Sequence, residues 1–368
     1  LGTQPVIEIR DAQGNVVTGD STTEVVVSIS GGMGGTLGGT TTVTAANGVV
    51  TFSDVTLSGV VSGAYGLTKA GSAELTLSGA NTFSGGVTLS EGAIQVGDNA
   101  ALGTGTVTFS GGRISSDSVT GRSLANEFAM SGTLGLGDAT NTGTLTLSGN
   151  VVLGAATTLT VASAATLSGV VSGAYRLTKA GLAELTLSGV NTFSGTTIVD
   201  AGILTLSGGS ALINSMAVTV SSGGTLKLAS SEEIASLAGA GAVDLQANVL
   251  SVSGGVDTTY SGLMSGAGSL VKTGSAVFTM TGSNSFSGGV TLSDGAIQVG
   301  DNAALGTGTV TFSAGRISSD SATARSLANE FAMSGTLGLG DATNNGALTL
   351  SGNVALGVAT TLTVASAA

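Results

Sequence analysis

The sequence predicts an all-β protein and, within that class, a parallel β-solenoid. Three observations carry the prediction. Apolar residues alternate with threonine or serine in short runs, glycine-containing turns end each run, and long stretches of the chain recur in tandem. Leu75-Thr76-Leu77, Val87-Thr88-Leu89, Ile94-Gln95-Val96, Val107-Thr108-Phe109, Leu145-Thr146-Leu147 and Leu159-Thr160-Val161 each place apolar side chains on one face and Thr or Gln on the other. That period of two is the mark of a strand. Ser-Gly, Gly-Gly or Asp-Asn closes each run. The runs are too short for helices and too closely punctuated for a conventional sandwich.

The repeats set the architecture. Residues 85–165 recur as 288–368 at an offset of 203, with 8 differences in 81 positions, among them Glu91 to Asp294, Gly111 to Ala314 and Thr142 to Asn345. A shorter unit occurs three times: LTKAGSAELTLSGANTFSGG from Leu67, LTKAGLAELTLSGVNTFSGT from Leu177 and LVKTGSAVFTMTGSNSFSGG from Leu270. Stacked coils of roughly 20–25 residues, spaced about 4.8 Å apart, give a rod of roughly 65 Å from about Ser58 to Ala368. Branched aliphatics line its inside; Thr, Ser and Asn solvate its outside.

Composition agrees and excludes much chemistry. Glycine is 62 of 368 residues, which suits tight corners. The chain has no Cys, His or Trp. No Ser-His-Asp or Cys-His nucleophile, imidazole base, disulfide or common zinc or iron–sulfur site can therefore be built. The expected protein is not an enzyme, and no cofactor is implied. Mean hydropathy is +0.48 and a net charge of −12 is spread over the whole length, which argues against disorder. The 10 cations are scattered, so no nucleic-acid partner is expected. No unbroken apolar run of about 20 residues is present, and twelve aromatics do not supply barrel girdles, so no membrane insertion is expected. The chain opens at Leu1 rather than Met, which reads as a processed or excised piece.

Leu67–Gly97, LTKAGSAELTLSGANTFSGGVTLSEGAIQVG, resembles the passenger-associated transport repeat, also called the autotransporter-associated β-strand repeat. The stretch from Glu232 through SGLMSGAGSLVKTGSAVFTMTGSNSFSGG is similar to the linker-and-repeat pattern of the same family. The resemblance covers most of residues 58–368. It implies a right-handed parallel β-helix in very large bacterial surface or secreted proteins, often autotransporter passengers, and so an extracellular or outer-surface location. Residues 1–57 differ. Val6 to Val17 reads strand, turn, strand, and Thr42–Ala45 and Val49–Phe52 flank Asn47-Gly48, a strong hairpin signal. This segment resembles a bacterial immunoglobulin-like domain, whole or partial, that would cap the first coil.

The remaining candidate residues each have a bland reading that outweighs the functional one. β-Helical lyases and glycosidases use paired carboxylates about 5–9.5 Å apart. Here Asp98, Asp117, Asp138, Asp200 and Asp257 sit singly at turns, and Asp98, Asp117, Glu127 and Asp138 recur as Asp301, Asp320, Glu330 and Asp341. Repetition fits solvated structural turns better than a catalytic centre. Glu232 and Glu233 are adjacent, and neighbours on a strand point to opposite faces. Gly97–Ala100 and Gly137–Asn141, with their copies at 300–303 and 340–344, offer oxygen ligands for a hard cation. Asp and Asn are also ordinary turn formers, so no metal site is assigned. Asn81, Asn191 and Asn284 are expected to bond backbone at corners, and Phe83, Phe193 and Phe286 to fill the core. Thr-x-Thr triplets at 106–108, 144–146, 158–160, 309–311 and 361–363 echo ice-binding faces but recur irregularly. Lys69, Lys179 and Lys272 hold one position in each short repeat, where a charge would discourage lateral sheet pairing.

The expected function is a non-catalytic extracellular structural or adhesive rod within a larger bacterial surface protein or fibre. Thr56–Tyr65 repeats as Thr166–Tyr175, directly after the coil ending at Ala165, and Ala368 is in phase with Ala165. The final coil is therefore expected to be followed by more of the same polypeptide or by a second subunit docking head-to-tail. A cell-surface or glycan partner is compatible with this reading. The alternatives are a β-helical glycan-active lyase or hydrolase using carboxylates, and a glycan- or cation-binding module.

Overall fold

A computed structural model describes residues 6–11, 13, 15–26, 37–39, 42–47, 49–51, 55–69, 71–214 and 216–366. Among these residues every regular element is a strand and there is no helix. The expectations that touch Leu1, Ala12, Gly14, Gly48, Phe52 and Ala368 lie outside the described residues. The chain divides into two units, Leu1–Val171 and Ser172–Ala368.

In the first unit the amino-terminal segment makes antiparallel pairs: Val6–Glu8 with Val49–Thr51, Glu24–Val26 with Thr42–Thr44, and Leu37–Gly39 with Val55–Leu57. These pairs do not by themselves amount to an immunoglobulin-like sandwich. From Val55 on, strands pair in parallel with the next coil. One face stacks Leu67–Lys69, Val87–Leu89, Val107–Phe109, Phe128–Met130 and Val151–Leu153. A second stacks Val55–Leu57, Leu75–Leu77, Ile94–Val96 and Ile114–Ser116, and reaches Leu136 and Val161. A third stacks Arg122–Leu124, Leu145–Leu147 and Ala165–Leu167. Coils on the first face advance by 20 to 23 residues, within the expected range.

The alternation decides which side chains enter the core. Val87, Leu89, Val107, Phe109, Leu145 and Leu147 are buried, while Thr88 and Thr108 between them are exposed. Each buried Leu or Val contributes about 1.5–3 kcal/mol relative to exposure. Corners need residues that turn without a side chain in the way. At the 9-residue strand Phe128–Leu136 the backbone passes from the first face to the second through Gly132, whose φ is 78°.

The second unit is also a parallel solenoid, with one feature the repeats did not announce. Leu177–Lys179 heads a column running through Thr197–Val199, Val218–Val220 and Leu237–Gly239 to Tyr260, then Phe278–Met280 and Ile297–Val299. By sequence, the counterpart of Leu177 is Leu270, not Phe278. Leu270–Lys272 stands in a different column, below Leu250–Val252 and above Val290–Leu292. The third short repeat is therefore turned by one face relative to the second. The reason is chain length: Phe278 lies 101 residues after Leu177, Leu270 only 93, and the 8-residue shortfall is the step from one face to the next.

Candidate functional site

The interior polar groups form the first candidate. Asn81 and Asn284 are buried at the same corner of their repeats. Asn284 Oδ1 accepts a bond from the Met264 amide at 2.7 Å and its Nδ2 donates to the Ala304 carbonyl at 2.6 Å. Asn81 does the same between Val61 and Ala101, at 2.8 and 2.6 Å. Asn191 donates to the Ala211 carbonyl at 2.8 Å. Each amide thus ties its coil to a neighbouring one, as a corner asparagine should. Phe83, Phe193 and Phe286 fill the core beside them.

Two groups of charges lie inside the coils. Lys69, Lys179 and Lys272 are buried, not edge guards on the outside. Lys179 Nζ donates to the carbonyls of Ala180, Gly181 and Ala201 at 3.0, 2.7 and 2.9 Å. Lys69 reaches Gly71 and Glu91 carbonyls, and Lys272 those of Thr273 and Gly274. Burial pushes Lys179 down to about 8. Burial also lowers Lys69 and Lys272, opposed by the charges of Glu91 for the first and of Asp294 and Asp257 for the second. The signal was available: in Leu-Thr-Lys the lysine has the inward parity of the last residue of Leu-Thr-Leu. Glu232 is the other case. It is buried, its carboxylate accepts the Leu212 amide at 2.8 Å and the Ala211 amide at 3.3 Å, and burial raises its pKa despite those bonds. Glu233 faces outward, where it accepts a bond from Asn214 Nδ2, so the pair splits across the strand as expected.

The other acids serve turns and ion pairs. Asp98 and Asp301 accept the amides of Ala100 and Ala303 at 2.8 Å, and Asp257 accepts that of Val277 at 2.8 Å. Asp117 pairs with Arg122 at 3.0 Å and Asp320 with Arg325 at 3.1 Å. Asp200, Glu127 and Glu330 are exposed. Asp138 and Asp341 are buried rather than solvated, because each carboxylate accepts two turn amides and an arginine. Arg113 joins two carboxylates, Asp138 and Glu74, the latter at 2.8 Å. The second copy has Val277 where Glu74 would stand, so this bridge occurs once. The guanidinium lies between the two acids and pairs with both. Among the described residues no three acids gather where a metal ion would fit. The Thr-x-Thr triplets of the first unit fall on three different faces, 106–108 on the first, 144–146 on the third and 158–160 on the second.

Buried lysine, corner asparagine and core phenylalanine thus recur together three times, and comparison with known proteins places that recurrence. Three stretches match the passenger-associated-transport-repeat family. They are residues 67–96, 177–206 and 270–299. Every buried lysine, corner asparagine and core phenylalanine described above lies in one of these matched stretches. A relative, the adhesin BmaC autotransporter of Brucella suis biovar 1 (strain 1330), is 34% identical over 43% of this chain. The alignment covers 5% of that protein, so the chain spans a small fraction of the relative's length. No solved structure matches.

Proposed function

We propose that this chain is non-catalytic scaffold, structural or adhesive, within the passenger of a large bacterial protein carried on the outer surface or released outside the cell. The observation that carries this reading is the threefold transport repeat, whose characteristic residues are spent on holding coils together. Its lysines cap corner carbonyls, its asparagines join coils and its phenylalanines fill the core. The printed name of the relative, an autotransporter adhesin, points the same way. We also infer a right-handed winding, since parallel strands joined by crossovers take that hand. The antiparallel pairs before Val55 support an immunoglobulin-like cap, whole or partial. Continuation by further coils, head-to-tail self-association and a cell-surface or glycan partner belong to the same reading.

The carboxylate bridge at Arg113 favours one rival, a glycan-active enzyme, because it occurs once. The two are separated by incubating the purified chain with a panel of bacterial and host polysaccharides and measuring newly formed reducing or unsaturated ends. Scaffold gives none. Release that disappears in Asp138→Asn would establish the rival. Antibody labelling of unpermeabilised producing cells tests the location, and labelling only after permeabilisation would refute it.

A further inference from the structure

The duplicated stretch carries a polar recess at one corner, and both copies have it. In the first unit the recess holds about 380 Å³ and is lined by Asn99, Thr104, Ser123, Ala125 and Asn126 among others. In the second unit Asn302, Thr307, Ala328 and Asn329 line about 250 Å³ at the same place. The first lies within, and the second just under, the range of about 300–1,000 Å³ for small-molecule sites. Asn126 and Asn329 are only 6% and 5% exposed. Asn126 Nδ2 donates to the carbonyls of Gly103 at 3.1 Å and Gly105 at 2.8 Å, and Asn329 Nδ2 to those of Gly306 and Gly308 at the same distances. Two carbonyls on the nitrogen fix which way the amide points. The transport-repeat asparagines Asn81 and Asn284 spend their oxygens on backbone amides. Among the described residues no donor reaches Asn126 Oδ1 or Asn329 Oδ1, and neither oxygen is sealed from solvent.

An acceptor so deeply buried beside open space is satisfied by a donor from a ligand. The rest of the lining is also uncharged and able to hydrogen-bond. Asn99 Oδ1 takes the Ser123 amide at 2.9 Å, and Asn302 Oδ1 takes that of Ser326 at 3.0 Å. Their Nδ2 protons have no partner among the described residues. The Ser123 and Thr104 hydroxyls can each donate and accept. No Lys, Arg, Asp or Glu lines either recess. Asp98 precedes Asn99 and Glu127 follows Asn126, while Arg122 is paired with Asp117. An anion would meet those acids, a cation would face amide and hydroxyl donors, and an apolar molecule would strand the amide oxygen. A ligand of neutral hydroxyls meets none of these costs.

We propose that these recesses are binding sites for a neutral saccharide, one in each copy of the duplicated stretch, with a sugar hydroxyl donating to Asn126 Oδ1 or Asn329 Oδ1. The assignment rests on the reading of this chain as surface scaffold with a glycan partner, and it gives that partner a place and a charge.

Titration of the full chain, followed by saturation-transfer NMR, tests this with the methyl glycosides of glucose, galactose, mannose and N-acetylglucosamine. Methyl glucuronide is the acidic control. At least one neutral glycoside is expected to bind at two sites per chain, and the glucuronide about tenfold more weakly or not at all. Ala125 and Ala328 are exposed at the two recesses. Ala125→Phe fills the first and halves the bound sugar; adding Ala328→Phe removes the rest. Thr104→Val with Thr307→Val keeps the shape, removes a hydroxyl from each site and weakens binding about threefold or more. Far-UV circular dichroism confirms that each variant keeps its β content. The assignment is overturned if no neutral glycoside binds, if either pair of substitutions leaves binding unchanged, or if the glucuronide binds equally well. None of these outcomes touches the scaffold reading, which fails instead on newly formed sugar ends or on labelling only after permeabilisation.

Discussion

At the scale of single residues, the buried lysines make the sharpest statement about solution behaviour. The Lys179 ammonium satisfies three corner carbonyls, so Lys179→Met leaves all three in a dry environment and is expected to cost about 2–3 kcal/mol in urea unfolding. The pH dependence has a definite sign. Folded Lys179 loses its proton near 8, below its ordinary 10.5, so between these values the unfolded chain binds more protons. Stability from this group therefore rises as pH goes from about 8 to about 10.5. Lys69 and Lys272 act in the same direction, and raised Tyr260 opposes them only above its ordinary value of 10.0. Thermal unfolding at pH 7.5 and 9.5 should show a rise that is smaller in Lys179→Met; an equal rise would mean that this lysine is not held as described. Glu232 works from the acid side. Its raised pKa means a contribution present at low pH and lost as pH climbs through the folded value, and Glu232→Gln removes that loss.

At the scale of elements, the sequence made the strands legible and left their stacking illegible. Leu-Thr-Leu and Val-Thr-Phe announced which side chains enter the core, because successive residues of a strand point to opposite faces. The rotation of the third transport repeat was not legible, since coil lengths vary and only the observed registers show that 93 residues stop one face short. Among the charges, Lys69 was readable from parity but charge suggested the opposite face, and Glu232, which shares the face of Ile234, was readable in the same way. The corner glycines are where the stacking is least forgiving. A Cβ at Gly282 would sit 1.9 Å from the Gly262 carbonyl oxygen, and backbone cannot yield as a side-chain end can. Gly282→Ala should cost about 3 kcal/mol, measured by urea unfolding. The ion bridge gives the contrast. The second copy already has Val277 in place of Glu74, and the Arg113–Glu74 pair is one-third exposed. Glu74→Val should change stability by about 1 kcal/mol or less. Asp138→Ala, which also strands the amides of Thr140 and Asn141, should cost about 2 kcal/mol.

At the scale of the whole molecule, a parallel solenoid couples each coil to its neighbours and to little else. Its stability is a chain of local interfaces, so damage at one corner should open nearby coils before distant ones. Asn284 is the place to test this. Its amide joins the coil of Met264 to that of Ala304 through two buried bonds, so Asn284→Ala loses both and strands a donor and an acceptor. Hydrogen–deuterium exchange followed by peptide mass should show faster exchange in peptides from about 260 to 310. Peptides covering 87–167 in the other unit should keep the protection of the unaltered chain. Uniform loss of protection across both units would mean that the chain unfolds as one cooperative body, contrary to the nearest-neighbour scheme. The outcome also bears on the proposed role. A surface scaffold that opens locally under load or protease keeps its remaining coils, whereas a cooperative one fails entire, and the exchange pattern of Asn284→Ala separates the two.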